Sequence, residues 1–149
     1  MIKQHDSIVV KHMAHFMAPI FQLFALYVLF HGHYSPGGGF QAGVMIGASL
    51  MLEMLVGSRR ELKKFNIEKE LRVAVLGLGL YAFAGGASLF YGSAYFDYGW
   101  IRFLGEDMAV RRYWAILIAE TGVTMVVAMT AVIIFQVLAF LPNRKETRS

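Results

Sequence analysis

The chain alternates between long apolar blocks and short stretches that hold almost all of its charge. The charged stretches are 1–11, 53–72, 97–112 and 143–149, and Glu120 is the exception. A membrane-spanning helix needs about 20 predominantly apolar residues. The region from His12 to Leu52 carries no Asp, Glu, Lys or Arg and is long enough for two such helices. The whole pattern predicts four transmembrane helices, at about 12–31, 40–57, 73–95 and 113–141.

Composition supports this prediction. Hydrophobic residues make up 57% of the chain and charged residues 16%, whereas a typical soluble domain is roughly 25% charged. We therefore predict an all-α integral membrane protein with one domain over residues 1–149. The first apolar block has full spanning length and no cleavage motif follows it, so we do not expect a cleaved signal peptide. The absence of cysteine excludes disulfides and thiolate chemistry.

A glycine-rich stretch separates the first two predicted spans. It reads His31-Gly-His-Tyr-Ser-Pro-Gly-Gly-Gly-Phe40. Each glycine costs about 1 kcal/mol in a helix relative to alanine, and Pro36 cannot donate a backbone hydrogen bond, so a loop is predicted. Two interpretations remain open: a tight turn at the membrane surface, and a turn whose backbone packs against a partner subunit.

A glycine stripe follows the loop on the second predicted span, where Gly39, Gly43 and Gly47 are four residues apart. Such small residues on one helix face allow another helix to approach closely. We predict that the loop and the stripe form a packing surface for a neighbouring helix or subunit. The residues of this surface are His33, Pro36, Gly37, Gly38, Gly39, Phe40, Gly43 and Gly47.

Two carboxylates within the spans are candidates for ion movement. Glu120 lies about two turns into the fourth span, where an ionisable group is costly and often functional, and Thr124 shares its helix face. The alternative is a structural carboxylate paired with an arginine of another helix or subunit. Glu53 lies near the end of the second span with Ser49 on the same face. The alternative role for Glu53 is that of a carboxylate at the membrane surface that reaches water.

Other chemistry has little support. No phosphate loop or complete catalytic site is present, and we expect no cofactor. The spacing of His31 and His33 suits neither a helix face nor a common zinc site, so we expect no metal site. Eleven of the 14 Lys and Arg residues lie in the two terminal tails and in 58–72. This asymmetry predicts cytoplasmic termini and accounts for the basic charge without nucleic acid.

The motif Gly32-His33-x-x-Pro36-Gly37-Gly38-Gly39-Phe40-x-x-Gly43 resembles the MrpB (MnhB) family, the small subunits of multisubunit Na⁺/H⁺ antiporters. The resemblance extends to Phe90-Tyr91-Gly92 and to Ala119-Glu120-Thr121-Gly122-Val123, and it covers about residues 6–140. The family often has an aspartate where this chain has Glu120. Neither Glu53 nor His31 belongs to the family pattern.

The resemblance implies a multi-pass subunit in the plasma membrane of a prokaryote, surrounded by lipid and by other subunits. It implies exchange of cytoplasmic Na⁺ for external H⁺ by the complex, with the main proton channels in larger subunits and no catalytic site here. The alternative is an antiporter-like membrane subunit of a membrane-bound hydrogenase or related respiratory redox complex. A third hypothesis is a structural scaffold without an ion path.

Overall fold

The computed structural model describes residues 8–32, 37–57, 65–90, 95 and 107–140. Within these ranges the chain forms four α-helices: α1 (Ile8–Phe30), α2 (Gly39–Val56), α3 (Ile67–Phe90) and α4 (Met108–Phe140). All four are long and apolar enough to cross a membrane, which confirms the predicted all-α fold with four transmembrane helices. The 33 residues of α4 correspond to a length of about 50 Å. This helix therefore tilts in the bilayer or projects from it.

The start of α3 differs from the prediction, because the helix begins at Ile67 rather than near residue 73. The side-chain oxygen of Asn66 accepts a hydrogen bond of 2.9 Å from the backbone N–H of Glu68 and caps the first turn. Glu68 and Glu70 lie in that turn, where the helix dipole favours negative charge. Glu68, Lys69, Glu70 and Arg72, which belong to the charged stretch 53–72, are therefore part of the helix.

The four helices do not all contact one another equally. α4 packs extensively against both α2 and α3, and α1 packs mainly against α2. Near the glycine-rich loop a small core forms from Ala25 and Leu29 of α1 and Ala42 of α2, with Leu117 of α4 packed against it. The extensive contacts of α3 are with α4 alone. α4 therefore joins α2 to α3, and α1 is attached mainly through α2.

Small side chains fill the interfaces and large ones face outward. Leu23, Phe83 and Leu138 are all at least 70% exposed. Helix association in lipid relies on close approach of small residues rather than on burial of large ones, so this distribution suits a membrane. Most buried apolar residues in the described ranges are alanines: Ala14, Ala18, Ala25, Ala42, Ala74, Ala84, Ala87, Ala115, Ala119 and Ala128.

The contact between α3 and α4 is closest where two glycines meet. A Cβ atom on Gly77 would lie 2.7 Å from the carbonyl oxygen of Gly122, and a Cβ atom on Gly122 would lie 2.6 Å from the carbonyl oxygen of Gly77. The two backbones therefore touch, and neither position has room for a side chain. By contrast, a Cβ atom on Gly79 would meet nothing within 4 Å.

Candidate functional site around Glu120

The glycine stripe of α2 lies directly against α4 of the same chain. A Cβ atom on Gly39 would overlap the backbone carbonyl of Glu120. A Cβ atom on Gly43 would lie 2.9 Å from the carbonyl oxygen of Thr124 and 2.8 Å from the Cβ atom of Val127. These distances leave no room for side chains, so the glycines allow the backbone of α2 to reach the segment of α4 that carries the candidate carboxylate.

The stripe continues at Gly47, where a Cβ atom would lie 3.2 Å from the carbonyl oxygen of Ala128. The helix that packs against the stripe is thus α4 of the same chain. Contact of the same surface with another subunit stays a prediction. His33 and Pro36 lie outside the described residues, and Phe40 is 64% exposed at the start of α2.

The Glu120 carboxylate lies against the backbone at both ends of the glycine-rich loop. A Cβ atom on Gly32 would be 3.0 Å from Oε2 of Glu120, and a Cβ atom on Gly38 would be 3.2 Å from Oε1. Gly38 has φ +126°, in the region that favours glycine. It immediately precedes α2, so the carboxylate lies at the N-terminal end of that helix, where the helix dipole stabilises negative charge.

Thr124 connects α4 to the start of α2. Its Oγ1 lies 2.9 Å from the carbonyl oxygen of Gly39 and 2.8 Å from the carbonyl oxygen of Glu120. A hydroxyl has one proton, so it donates to one of these two acceptors at a time. Thr124 and Glu120 thus lie on one face of α4, as their spacing predicts, and the Thr124 hydroxyl donates to backbone carbonyl oxygens.

An open cleft exposes one side of this arrangement. Glu120 is half-buried at the cleft, between residues of α2 and one residue of α3, Tyr81. The lining residues are Gly37, Gly38, Gly39, Phe40, Gln41, Tyr81, Ala119, Glu120 and Val123. An accessible space with a mostly apolar lining therefore adjoins the carboxylate at the loop end of the molecule.

Glu53 is not part of this site. It lies 14 residues after Gly39 on α2, a separation of about 21 Å along the helix. Its side chain is half-buried. The hydroxyl of Ser49 donates to the carbonyl oxygen of Ile46 at 2.7 Å, so it serves its own helix. The candidacy of Glu53 for an ion path stays a prediction.

A buried polar pair near the C-terminal end of α4 was not predicted from the sequence. The amide of Gln136 donates a hydrogen bond from Nε2 to Oε2 of Glu70, which lies in the first turn of α3. Each of the two residues is 7% exposed. Gln136 is the only side-chain amide of α4, and that isolated polar residue was the available signal. Its partner lies 66 residues away in the chain.

The histidine that follows α1 is held against the end of that helix. Nδ1 of His31 hydrogen-bonds to the carbonyl oxygen of Tyr27 at 3.0 Å, and the two rings stack with centroids 4.1 Å apart. In the described ranges no group of three or more His, Cys, Asp or Glu side chains is placed to hold a metal ion. Glu120 is the one carboxylate among the residues that line the cleft.

These features define a class: a small multi-pass helical membrane protein, packed through glycine and alanine, with a carboxylate at a glycine-rich loop. The family model described as "Domain related to MnhB subunit of Na+/H+ antiporter" matches residues 9–133. The chain belongs to this MnhB family, which confirms the resemblance first suggested by its glycine-rich motif.

Two curated relatives agree with this assignment, and both are named as the B subunit of a Na(+)/H(+) antiporter. The relative from Alkalihalophilus pseudofirmus is 36% identical over 87 residues, which cover 56% of this chain and 60% of the relative. The relative from Bacillus subtilis is 27% identical over 118 residues, which cover 74% of this chain and 82% of the relative. The chain thus spans 60% of the first relative and most of the second.

Proposed function

We propose that this protein is a membrane subunit of a multisubunit monovalent cation/proton antiporter of the Mrp type. Membership of the MnhB family and the names of both relatives support the assignment. Neither relative is named as part of a hydrogenase, so that alternative is not favoured. The transported ions of the complex are Na⁺ and H⁺, the other subunits are its partners, and this chain contributes no catalytic site.

The observation that carries the proposal is the placement of Glu120. A half-buried carboxylate on a membrane-spanning helix is costly and usually marks an ion pathway or a structural pair. Here it faces the backbone of Gly32 and Gly38 and adjoins an open cleft. The positive end of the α2 dipole stabilises the charged form, while the cleft gives ions access. Both properties suit a group that binds and releases a cation or proton.

Orientation completes the proposal. The excess of Lys and Arg in the tails and in 58–72 supports cytoplasmic termini in the plasma membrane of a prokaryote. The glycine-rich loop and Glu120 then lie towards the outer surface, and Glu53 lies towards the cytoplasm. Exposed side chains such as Leu23 and Leu138 contact lipid or other subunits.

The test uses Glu120→Gln in the complete complex, with Glu53→Gln as a second carboxylate variant in the same chain. Yield of the assembled complex and Na⁺-dependent proton movement in inverted vesicles are both measured. We expect Glu120→Gln to assemble normally and to exchange ions poorly, because size and hydrogen bonding are largely kept while the charge is lost. Glu120→Asp should retain part of the activity, since the carboxylate remains with a shorter reach.

A structural role gives a different result. Removing one partner of a buried ion pair leaves the other charge unpaired, at a cost of about 3–5 kcal/mol, so loss of assembly would come first. Wild-type exchange by a fully assembled Glu120→Gln complex would rule out an essential ionisable role. Reduced exchange by Glu53→Gln would add that carboxylate to the pathway.

A further inference from the structure

A buried carboxylate lies outside the site around Glu120. Glu70 is 7% exposed at the interface of α3 and α4, and its Oε2 accepts the hydrogen bond from Gln136. Its Oε1 is buried and has no hydrogen-bond partner among the residues that the structure describes. Gln136 lies 16 residues after Glu120, a separation of about 24 Å along α4. Glu70 therefore contacts α4 near its C-terminal end, far along that helix from Glu120.

Among the described residues of α3 and α4, no charge that would compensate Glu70 is in contact with it. On α4, the helix packed against it, no Asp, Glu, His, Lys, Arg or Tyr occurs from Thr121 to Ala139. On α3 the ionisable neighbours are Glu68, Lys69 and Arg72, and all three are exposed. Arg72 donates to Oε1 of Glu68, one turn earlier on the outer face, rather than to Glu70. Gln136 is neutral, so its amide brings a hydrogen bond to Glu70 but no charge.

Within the described residues, Glu70 lacks the features of a structural ion pair. A buried ionised carboxylate is retained where it is paired with a cation and where both oxygens accept hydrogen bonds. Glu70 has no such cation in the described helices. The backbone N–H of Asn66 also lies close to the carboxylate, but Oε1 has no hydrogen-bond partner within normal geometry among the described residues. A protonated carboxyl has different requirements: one oxygen acts as a carbonyl acceptor and the other carries the proton. The bond from Gln136 matches the acceptor oxygen of the protonated form.

We propose that Glu70, positioned by Gln136, is a second proton-binding group of this chain and takes part in ion exchange by the complex. The proton binds to Oε1, while Oε2 continues to accept the hydrogen bond from Gln136. Release leaves a carboxylate at the fourth residue of α3, where the N-terminal end of the helix dipole stabilises negative charge. Proton binding by Glu70 does not depend on the antiporter function proposed above, but its participation in ion exchange rests on that function.

The first measurement needs no substitution. Membranes containing the complete complex are treated with dicyclohexylcarbodiimide, which reacts with protonated carboxyls in apolar surroundings, over a range of pH. Mass spectrometry then measures modification of the peptide that contains Glu70. We expect modification of Glu70 that falls as pH rises, and none of Glu68, which is exposed two residues earlier. Absence of modification at every pH at which the complex is intact would overturn the proposal.

The second measurement is proton movement in inverted vesicles. Glu70→Gln keeps the shape of the side chain and an acceptor for Gln136, but it cannot bind a proton. The matched control is Glu68→Gln, which removes a carboxylate from the same turn. We expect exchange to be lost in Glu70→Gln complexes and unchanged in Glu68→Gln complexes. Wild-type exchange by an assembled Glu70→Gln complex would overturn participation in ion exchange.

Gln136→Leu separates proton binding from packing, because it removes the hydrogen bond and leaves the carboxyl. We expect the pH at which carbodiimide modification falls by half to differ from wild type, whereas a purely structural pair would change only the yield of complex. The two proposals also fail differently. If the wild-type complex shows no cation-dependent proton movement, the proposed antiporter function fails, while the modification of Glu70 still decides whether this carboxyl binds a proton.

Discussion

Replacing Gly43 with alanine tests whether direct backbone contact joins α2 to α4. The added Cβ atom would lie 2.8 Å from the Cβ atom of Val127 and 2.9 Å from the carbonyl oxygen of Thr124. Carbon atoms in favourable contact are about 3.5–4.0 Å apart, so the helices must separate by roughly 0.7 Å or more at this point. Overpacking of this kind costs about 1–3 kcal/mol.

The control is Gly79→Ala, on the exposed side of α3, where a Cβ atom would meet nothing within 4 Å. Alanine also favours helix over glycine by up to about 1 kcal/mol, and this gain is common to both variants. The difference between the two therefore isolates the steric effect, and we expect Gly43→Ala to be less stable than Gly79→Ala by about 1–3 kcal/mol.

The assay compares thermal midpoints of the purified complex by size-exclusion chromatography after heating. We expect Gly43→Ala to lower the midpoint, and Gly79→Ala to leave it unchanged or raise it slightly. Because the perturbed segment of α4 carries Glu120, exchange activity should fall in the first variant even where the complex remains assembled. Equal midpoints for the two variants would refute the inferred backbone contact between α2 and α4.

Two further predictions concern the same framework. Thr124→Val removes the hydroxyl that lies 2.9 Å from the carbonyl oxygen of Gly39, and we expect a loss of about 0.5–1.5 kcal/mol of stability. Thr124→Ser should recover most of the lost thermal stability, and an unchanged midpoint in Thr124→Val would show that the hydrogen bond is dispensable. For topology, reporters active only in the cytoplasm should give a signal when fused at the C-terminus and none when fused within 97–112; a signal from the second fusion would contradict cytoplasmic termini.

The four helices could be predicted from the sequence because each apolar block is long enough to cross a bilayer. The start of α3 could not, because Glu68, Lys69 and Arg72 resemble a connecting segment when only charge is considered. What decides the boundary is local: Asn66 caps the helix, and Glu68 pairs with Arg72 on its outer face. Charge density alone does not distinguish a helical turn that carries charged residues from a loop.

The candidate site was predictable only in part. The pairing of Glu120 with Thr124 follows from a spacing of four residues on one helix, and the glycine stripe indicated close approach by another helix. The sequence did not show that this helix is α4, since the contact joins Gly39 to Thr124 across 85 residues. Glu70 was missed for the same reason: its burial depends on Gln136, and no periodicity along α3 reveals that neighbour.

The way the helices are joined limits what this chain can enclose. The extensive contacts of α3 are with α4 alone, and α2 packs on another side of α4. The Glu120 cleft is lined by α2, α4 and the glycines that precede α2, and among the described residues α3 contributes only Tyr81. A tunnel for ions needs a wall around its whole circumference, and the described helices form only part of one. The rest of the circumference must come from outside the described helices, so an insulated conduit past Glu120 exists only where a further segment, lipid or another protein covers the cleft.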